Sequence, residues 1–157
     1  MNKMLVALDD SASSMNAVEY VARQFGGAQD VQIGLVHVLP NLPAIFWDEG
    51  HILSEEEKRE RRKVVDKWVT DRKAKMDPVF KKATDLLLNR GIKAGQIQAR
   101  SVSDSTDIAD SILEQAKDEG YQTIVIGRCD RSAKHVLGSI TSKIVDQGRG
   151  FVITIVE

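Results

Sequence analysis

Met4-Leu5-Val6-Ala7-Leu8 is apolar at every position and stops at Asp9-Asp10-Ser11. Such a run predicts a strand buried on both faces, as in a parallel sheet. Ser11 or Ser13 can cap a following helix, whose inner face is Met15, Val18, Val21, Ala22 and Phe25 and whose end is Gly26-Gly27. Val31 to Val38 predicts a second strand, closed by Pro40 and Pro43. Residues 39–53 then form a long loop holding Ile45, Phe46, Trp47 and Ile52, and loops of that length are usually functional or mobile. Ser54 and Glu57 have the spacing of a capping box. The helix they open is charged from Glu55 to Lys63, a pattern of solvated i,i+4 pairs. It gains an apolar stripe at Val64, Val65, Trp68 and Val69, where Trp68 reads as helix packing. Asp77-Pro78 predicts a restart or a kink, after which Val79, Phe80, Ala83, Leu86 and Leu87 continue the stripe to Asn89-Arg90-Gly91.

Ile97 to Val102 is the weakest strand pattern of the set, and Ser103 to Asp107 offers several caps. Ile108, Ile112, Leu113 and Ala116 make a helical face ending at Gly120. Thr123 to Ile126 is a β-branched strand stopped by Gly127. A loop over 128–137 leads to Gly138-Ser139, which opens a helix with Ile140, Ile144 and Val145, and Phe151 to Val156 is the last strand. Five strands alternating with four helices predict an α/β fold, a parallel sheet with helices on both faces. With 157 residues, no repeat and no linker, one domain over 1–157 is expected.

Composition narrows the function class. Lys plus Arg is 22 and Asp plus Glu is 23. That balance argues against a nucleic-acid binder and against a polybasic membrane anchor. Cys129 is the single cysteine, so no internal disulfide forms. No stretch approaches a membrane span, and the N-terminus has no signal-peptide pattern. A cytoplasmic location is the expectation.

In an open parallel sheet, ligands bind beyond the carboxyl ends of the strands, where the winding reverses. That rule nominates Ala7 to Ser11, Val38 to Pro40, and Gly127 to Ser139. In the third, Gly138-Ser139 at a helix start offers free N–H groups and a favourable dipole to an anion. Arg128, Arg131, Lys134 and His135 add positive charge. The spacing is not that of a P-loop. Gly-Ser is also a plain cap, and a basic loop is also a plain solvated surface, so spacing alone leaves both readings open.

The sequence resembles the universal stress protein family in its small, single-domain form. The residues that carry the resemblance are Met4 to Ser11, Leu35-Val36-His37-Val38, Ile124-Val125-Ile126-Gly127 and Gly138-Ser139-Ile140-Thr141, in that order along essentially the whole chain. The resemblance implies a five-stranded parallel sheet of order 3-2-1-4-5, similar to the adenine-nucleotide alpha-hydrolases. It implies a homodimer through strand Phe151 to Val156. It also implies an adenine-nucleotide cleft lined by Ala7, Leu8, Asp9, Val38, Ile126, Gly127, Arg128, Gly138, Ser139, Ile140 and Thr141. Asp9 would lie near ribose and Mg²⁺, Val38 near adenine, and Gly138-Ser139 near phosphate. ATP, ADP or AMP with Mg²⁺ are the implied cofactors.

The family motif runs Gly, two residues, Gly, nine residues, then Gly and Ser or Thr. Here Asp130 replaces the middle glycine, and seven residues, Arg131 to Leu137, precede Gly138. An aspartate adds a side chain and a negative charge beside phosphate. The shorter loop resembles the branch that does not retain ATP. Two functions therefore stand side by side. One is a nucleotide-sensing stress-response module, favouring a monophosphate. The other acts only through protein–protein contacts, with Phe46-Trp47 as a partner patch. Enzymatic turnover is not expected beyond slow ATP hydrolysis, because no Ser-His-Asp or paired-carboxylate constellation is visible. His37 reads as a satisfied core histidine. His51 and His135 are isolated, and Cys129 beside Arg128 reads more readily as a redox-sensitive thiol than as a catalytic nucleophile.

Overall fold

The computed structural model describes residues 1–40, 54–128 and 138–157. Its elements are β1 (Asn2–Ala7), α1 (Ala12–Phe25), β2 (Val31–Pro40), α2 (Glu55–Asn89), a short 3-10 turn (Ala94–Gln96), β3 (Ile97–Ser105), α3 (Ile108–Asp118), β4 (Thr123–Gly127), α4 (Ser139–Gln147) and β5 (Val152–Val156). The strands form one parallel sheet in the order β3-β2-β1-β4-β5. This is the α/β architecture that the pattern predicts and the strand order that the family resemblance implies.

Alternation along the central strands divides the core in two. Met4, Val6 and Leu8 face one side with Val31, Ile33 and Leu35, against Val18 and Val21 of α1 and Met76, Ala83 and Leu87 of α2. Leu5 faces the other side with Val36, Val38, Ile124 and Ile126, against Ala109, Ile112 and Ala116 of α3 and Ile144 of α4. Both faces of β1 are therefore buried, which is why its sequence shows no polar alternation. β3 lies at an edge with Gln98, Ala99 and Arg100 exposed, which accounts for its weak pattern. It also runs three residues beyond Val102, to Ser105, through Asp104 in the left-handed region (φ 61°), a conformation that aspartate tolerates.

One expectation is corrected. The restart at Asp77-Pro78, one of the two alternatives there, does not occur; α2 is continuous over 35 residues. Proline in a helix interior removes a hydrogen bond and costs about 3 kcal/mol relative to alanine. Met76 on one side of it, and Ala83 and Leu87 on the other, are buried against the sheet. Tertiary packing keeps the helix continuous through the proline despite the local preference. At the helix start, Ser54 Oγ accepts the Glu57 N–H at 3.2 Å, as its spacing predicts.

Candidate functional site

Reversal of winding between β1 and β4 leaves a crevice beyond their carboxyl ends. The segment leaving β1 is shaped by its own polar residues. Asp9 Oδ1 accepts the Ser11 N–H at 2.7 Å, a turn that aspartate side chains favour. Ser11 Oγ in turn caps α1 by accepting the Ser14 N–H at 3.2 Å. Ser14 Oγ donates to the Asp9 carbonyl at 2.9 Å and accepts the Asp9 N–H at 3.2 Å. Asp9 thereby stands exposed at a strand end with one carboxylate oxygen engaged and its backbone locked.

A cavity of about 430 Å³ opens there, within the roughly 300–1,000 Å³ common for small-molecule sites. Its sheet wall is Ala7, Leu8, Val36, His37, Val38, Ile126 and Gly127, continued by Leu39 and Pro40. The β2–β3 register shifts between Val38 and Pro40, at the point where β2 leaves the sheet and borders the cavity. Ile108 and Ile112 of α3, with Ile140 and Thr141 of α4, form a second wall. Those two helices are tied by Lys143, whose Nζ lies 2.9 Å from Asp107 Oδ2 and 3.2 Å from Asp110 Oδ1. The Asp110 N–H and the Lys143 ammonium hold the Asp107 carboxyl below its ordinary range. The two carboxylates hold Lys143 above its own.

The third wall is α2, from which Trp68, Arg72, Lys75 and Met76 line the cavity. Their spacing of four, three and one places them on one side of a helix. The Arg72 guanidinium lies 5.5 Å from the centre of the Trp68 ring, within cation–π range.

Of the residues nominated from sequence, Ala7, Leu8, Asp9, Val38, Ile126, Gly127, Ile140 and Thr141 line this cavity. Arg128, Gly138 and Ser139 do not. Arg128 is turned to the sheet edge, where its guanidinium pairs with Glu157 and its N–H donates to the Val156 carbonyl at 2.7 Å. Gly138 is the residue before α4 and Ser139 is its first, exposed residue. Gly127 has a packing explanation of its own. A Cβ there would meet the Ser13 carbonyl oxygen at 2.1 Å, so the start of α1 requires glycine at this strand end. Phe46, Trp47, His51, Cys129, Asp130, Arg131, Lys134 and His135 lie outside the described residues.

Sequence reasoning missed the whole α2 wall. Trp68 does pack, but it packs on the cavity rather than in the core. The available signal was a tryptophan, an arginine and a methionine at four-residue steps. His37 Nδ1 lies 2.8 Å from the Leu8 carbonyl, which satisfies it as a core histidine would be, although its ring also borders the cavity. Ser14, His37 and Asp9 are neighbours in this lining, yet the Ser14 hydroxyl and the His37 Nδ1 both engage main-chain groups. That is not the nucleophile–base geometry of a triad. Among the described residues no three His, Cys, Asp or Glu gather as metal ligands, and no helix is long and apolar enough to cross a membrane.

The model of the universal stress protein family matches residues 1–150. The chain belongs to the universal stress protein family. Among curated proteins no sequence matches it. Solved structures do. The hypothetical protein MJ0577 superposes with a TM-score of 0.71 at 16% identity, covering 99% of this chain and 94% of that one. A universal stress protein from Archaeoglobus fulgidus in complex with dAMP gives 0.59 at 16%, covering 100% and 98%. A family member from Arabidopsis thaliana with AMP bound gives 0.58 at 17%, covering 99% and 91%. At these identities the likeness concerns the fold.

Proposed function

We propose that this universal stress protein is a binding module whose cavity takes an adenine nucleotide, a monophosphate in preference to a triphosphate. It acts by altering partner contacts rather than by turnover. The cavity beyond β1, β2 and β4 carries this reading. Its lining is largely apolar, suited to a flat base, with Asp9, Ser11 and Thr141 as polar groups for a sugar. Family members with dAMP and AMP support the ligand class. Asp9 has one carboxylate oxygen free of the Ser11 N–H, enough to meet a ribose or a Mg²⁺ ion carried by phosphates. Such an ion would neutralise phosphate charge. Asp130 and the short loop before Gly138 disfavour the distal phosphates.

Protein purified without added nucleotide would be denatured and its supernatant assayed. The native protein would be titrated with AMP, ADP and ATP by calorimetry. Copurified nucleotide, or a dissociation constant for AMP below roughly 100 μM (about -5.5 kcal/mol), is expected. An empty cavity with no heat at millimolar ligand would sink the reading.

A nucleotide-free interaction protein is the second reading, with which Gly127 is compatible. Its glycine is demanded by the Ser13 backbone, so its presence does not by itself argue for phosphate. Partner capture without saturable nucleotide binding, lost when Phe46 and Trp47 are made polar, would select it.

Homodimerisation through β5 accompanies both readings. β5 is an edge strand with Val152 61% and Ile155 36% exposed, and open apolar edges favour strand pairing. Sedimentation of the wild type should give a dimer, and Val152→Lys a monomer.

A further inference from the structure

His37 stands near the carboxyl end of β2, a strand flanked by β1 and β3. Val31, Ile33 and Leu35 belong to the core under α1 and α2, whereas Val36 and Val38 belong to the core under α3 and α4. Alternation therefore turns His37 to the α2 side of the sheet. It is half-buried and lines the cavity. An aliphatic residue would serve packing there at less cost, because a buried polar ring needs partners for its nitrogens.

One nitrogen has such a partner and the other does not. The Leu8 carbonyl, 2.8 Å from Nδ1, can only accept, so the proton sits on Nδ1. In the neutral ring Nε2 then carries the lone pair and is an acceptor. Among the described residues no group donates to it. Nor is it sealed. Ser101 Oγ is the one side-chain polar atom among the described residues that is both buried and unpartnered, so the unpartnered Nε2 is open to solvent. On a central strand with α2 packed across this face, that opening is the cavity. The cavity therefore presents a hydrogen-bond acceptor whose tautomer is set by the main chain of β1.

The surroundings define the donor. On this side the cavity is bordered by Trp68 and Met76, and its charged groups from α2 are Arg72 and Lys75. Two cations disfavour an ammonium donor, and the apolar surfaces favour a flat, uncharged one. The next residue, Val38, lies at the base end in the nucleotide reading, while the polar groups for the sugar, Asp9, Ser11 and Thr141, come from other segments. Resting on that reading, we infer that His37 Nε2 accepts the exocyclic amine of the base and so selects adenine over purines without a donor at that position. A site that holds an N–H in an otherwise apolar pocket rejects the ligand lacking it, because its acceptor is left unpaired.

The experiment is calorimetric titration at about pH 8, where an imidazole is ordinarily neutral. Wild type, His37→Asn and His37→Gln are titrated with AMP and with purine riboside 5'-monophosphate, which lacks only the 6-amino group, alongside each variant's thermal midpoint. The asparagine amide can take the place of Nδ1 and donate to Leu8, but it ends short of Nε2. The glutamine amide reaches the place of Nε2, where its carbonyl oxygen accepts. Wild type is expected to prefer AMP by about tenfold. His37→Asn should bring the two ligands within about twofold by weakening AMP alone, and His37→Gln should keep a preference of about fivefold. Equal affinity of wild type for the two ligands would overturn the assignment of His37 and leave the nucleotide reading standing. A full preference retained in His37→Asn, or both ligands weakened alike in both variants, would also overturn it. Failure of wild type to bind either compound would overturn both readings.

Discussion

Apart from the core residue Met76, the α2 wall of the cavity and its sheet wall are built on opposite terms. Leu8, Val36, Val38 and Ile126 are at most 5% exposed, and their side chains belong to the two cores as much as to the cavity. Trp68, Arg72 and Lys75 are half-buried or exposed and belong to neither core cluster. Residues of the first kind are constrained by folding before any ligand is considered. Residues of the second kind carry no core-packing constraint, so a cation there reports on chemistry more directly than a glycine or an isoleucine at a strand end. Gly127 makes the contrast plain, because the approach of Ser13 accounts for it.

Substitutions should separate the walls by their effect on stability. Leu8→Ala should cost the most, roughly 2–5 kcal/mol in a denaturation experiment, as large-to-small core changes do. A cost below about 1 kcal/mol would mean that the sheet wall is not a structural wall. Gly127→Ala should cost roughly 1–3 kcal/mol by overpacking; chemical denaturation would measure it, and a neutral result would release Gly127 from its packing role.

Lys143→Met should have a smaller effect, with a size set by pH. The Asp107 carboxyl is held below its ordinary value in the fold, so its contribution is present above the unfolded value and disappears as pH falls through the folded one. Lys143 is held above its ordinary value, so its contribution is present below the unfolded value and disappears as pH rises through the folded one. Thermal midpoints of wild type and variant should therefore differ most between those limits and converge in strong acid. A difference that is constant with pH would exclude the ion pair as its cause. Arg72→Gln should change stability least, within about 0.5 kcal/mol. A large loss there would erase the distinction between the walls, because Arg72 would then be a structural residue.

The β1 run and the start of α1 were readable because burial on both faces removes polar positions from a strand. Asp9, Ser11 and Ser14 are local polar signals that act within five residues of one another. The same locality explains the error at Pro78. A local breaker signal was read correctly as chemistry, yet it lost to Met76, Ala83 and Leu87 packed on the sheet. Arg128 was misplaced for a related reason. Its position after β4 was legible, but the direction of its side chain depends on Glu157, twenty-nine residues away.

Strand and helix order, the two-sided sheet and the capped turn at Asp9 were thus decided by patterns within single elements. Hydrophobic periodicity and capping act over a few residues, and a sequence displays them directly. Which glycine is spatially required, which cation reaches the cavity and whether a helix survives its proline were decided by tertiary structure. Each depends on atoms brought together from distant parts of the chain, and no local pattern encodes that proximity.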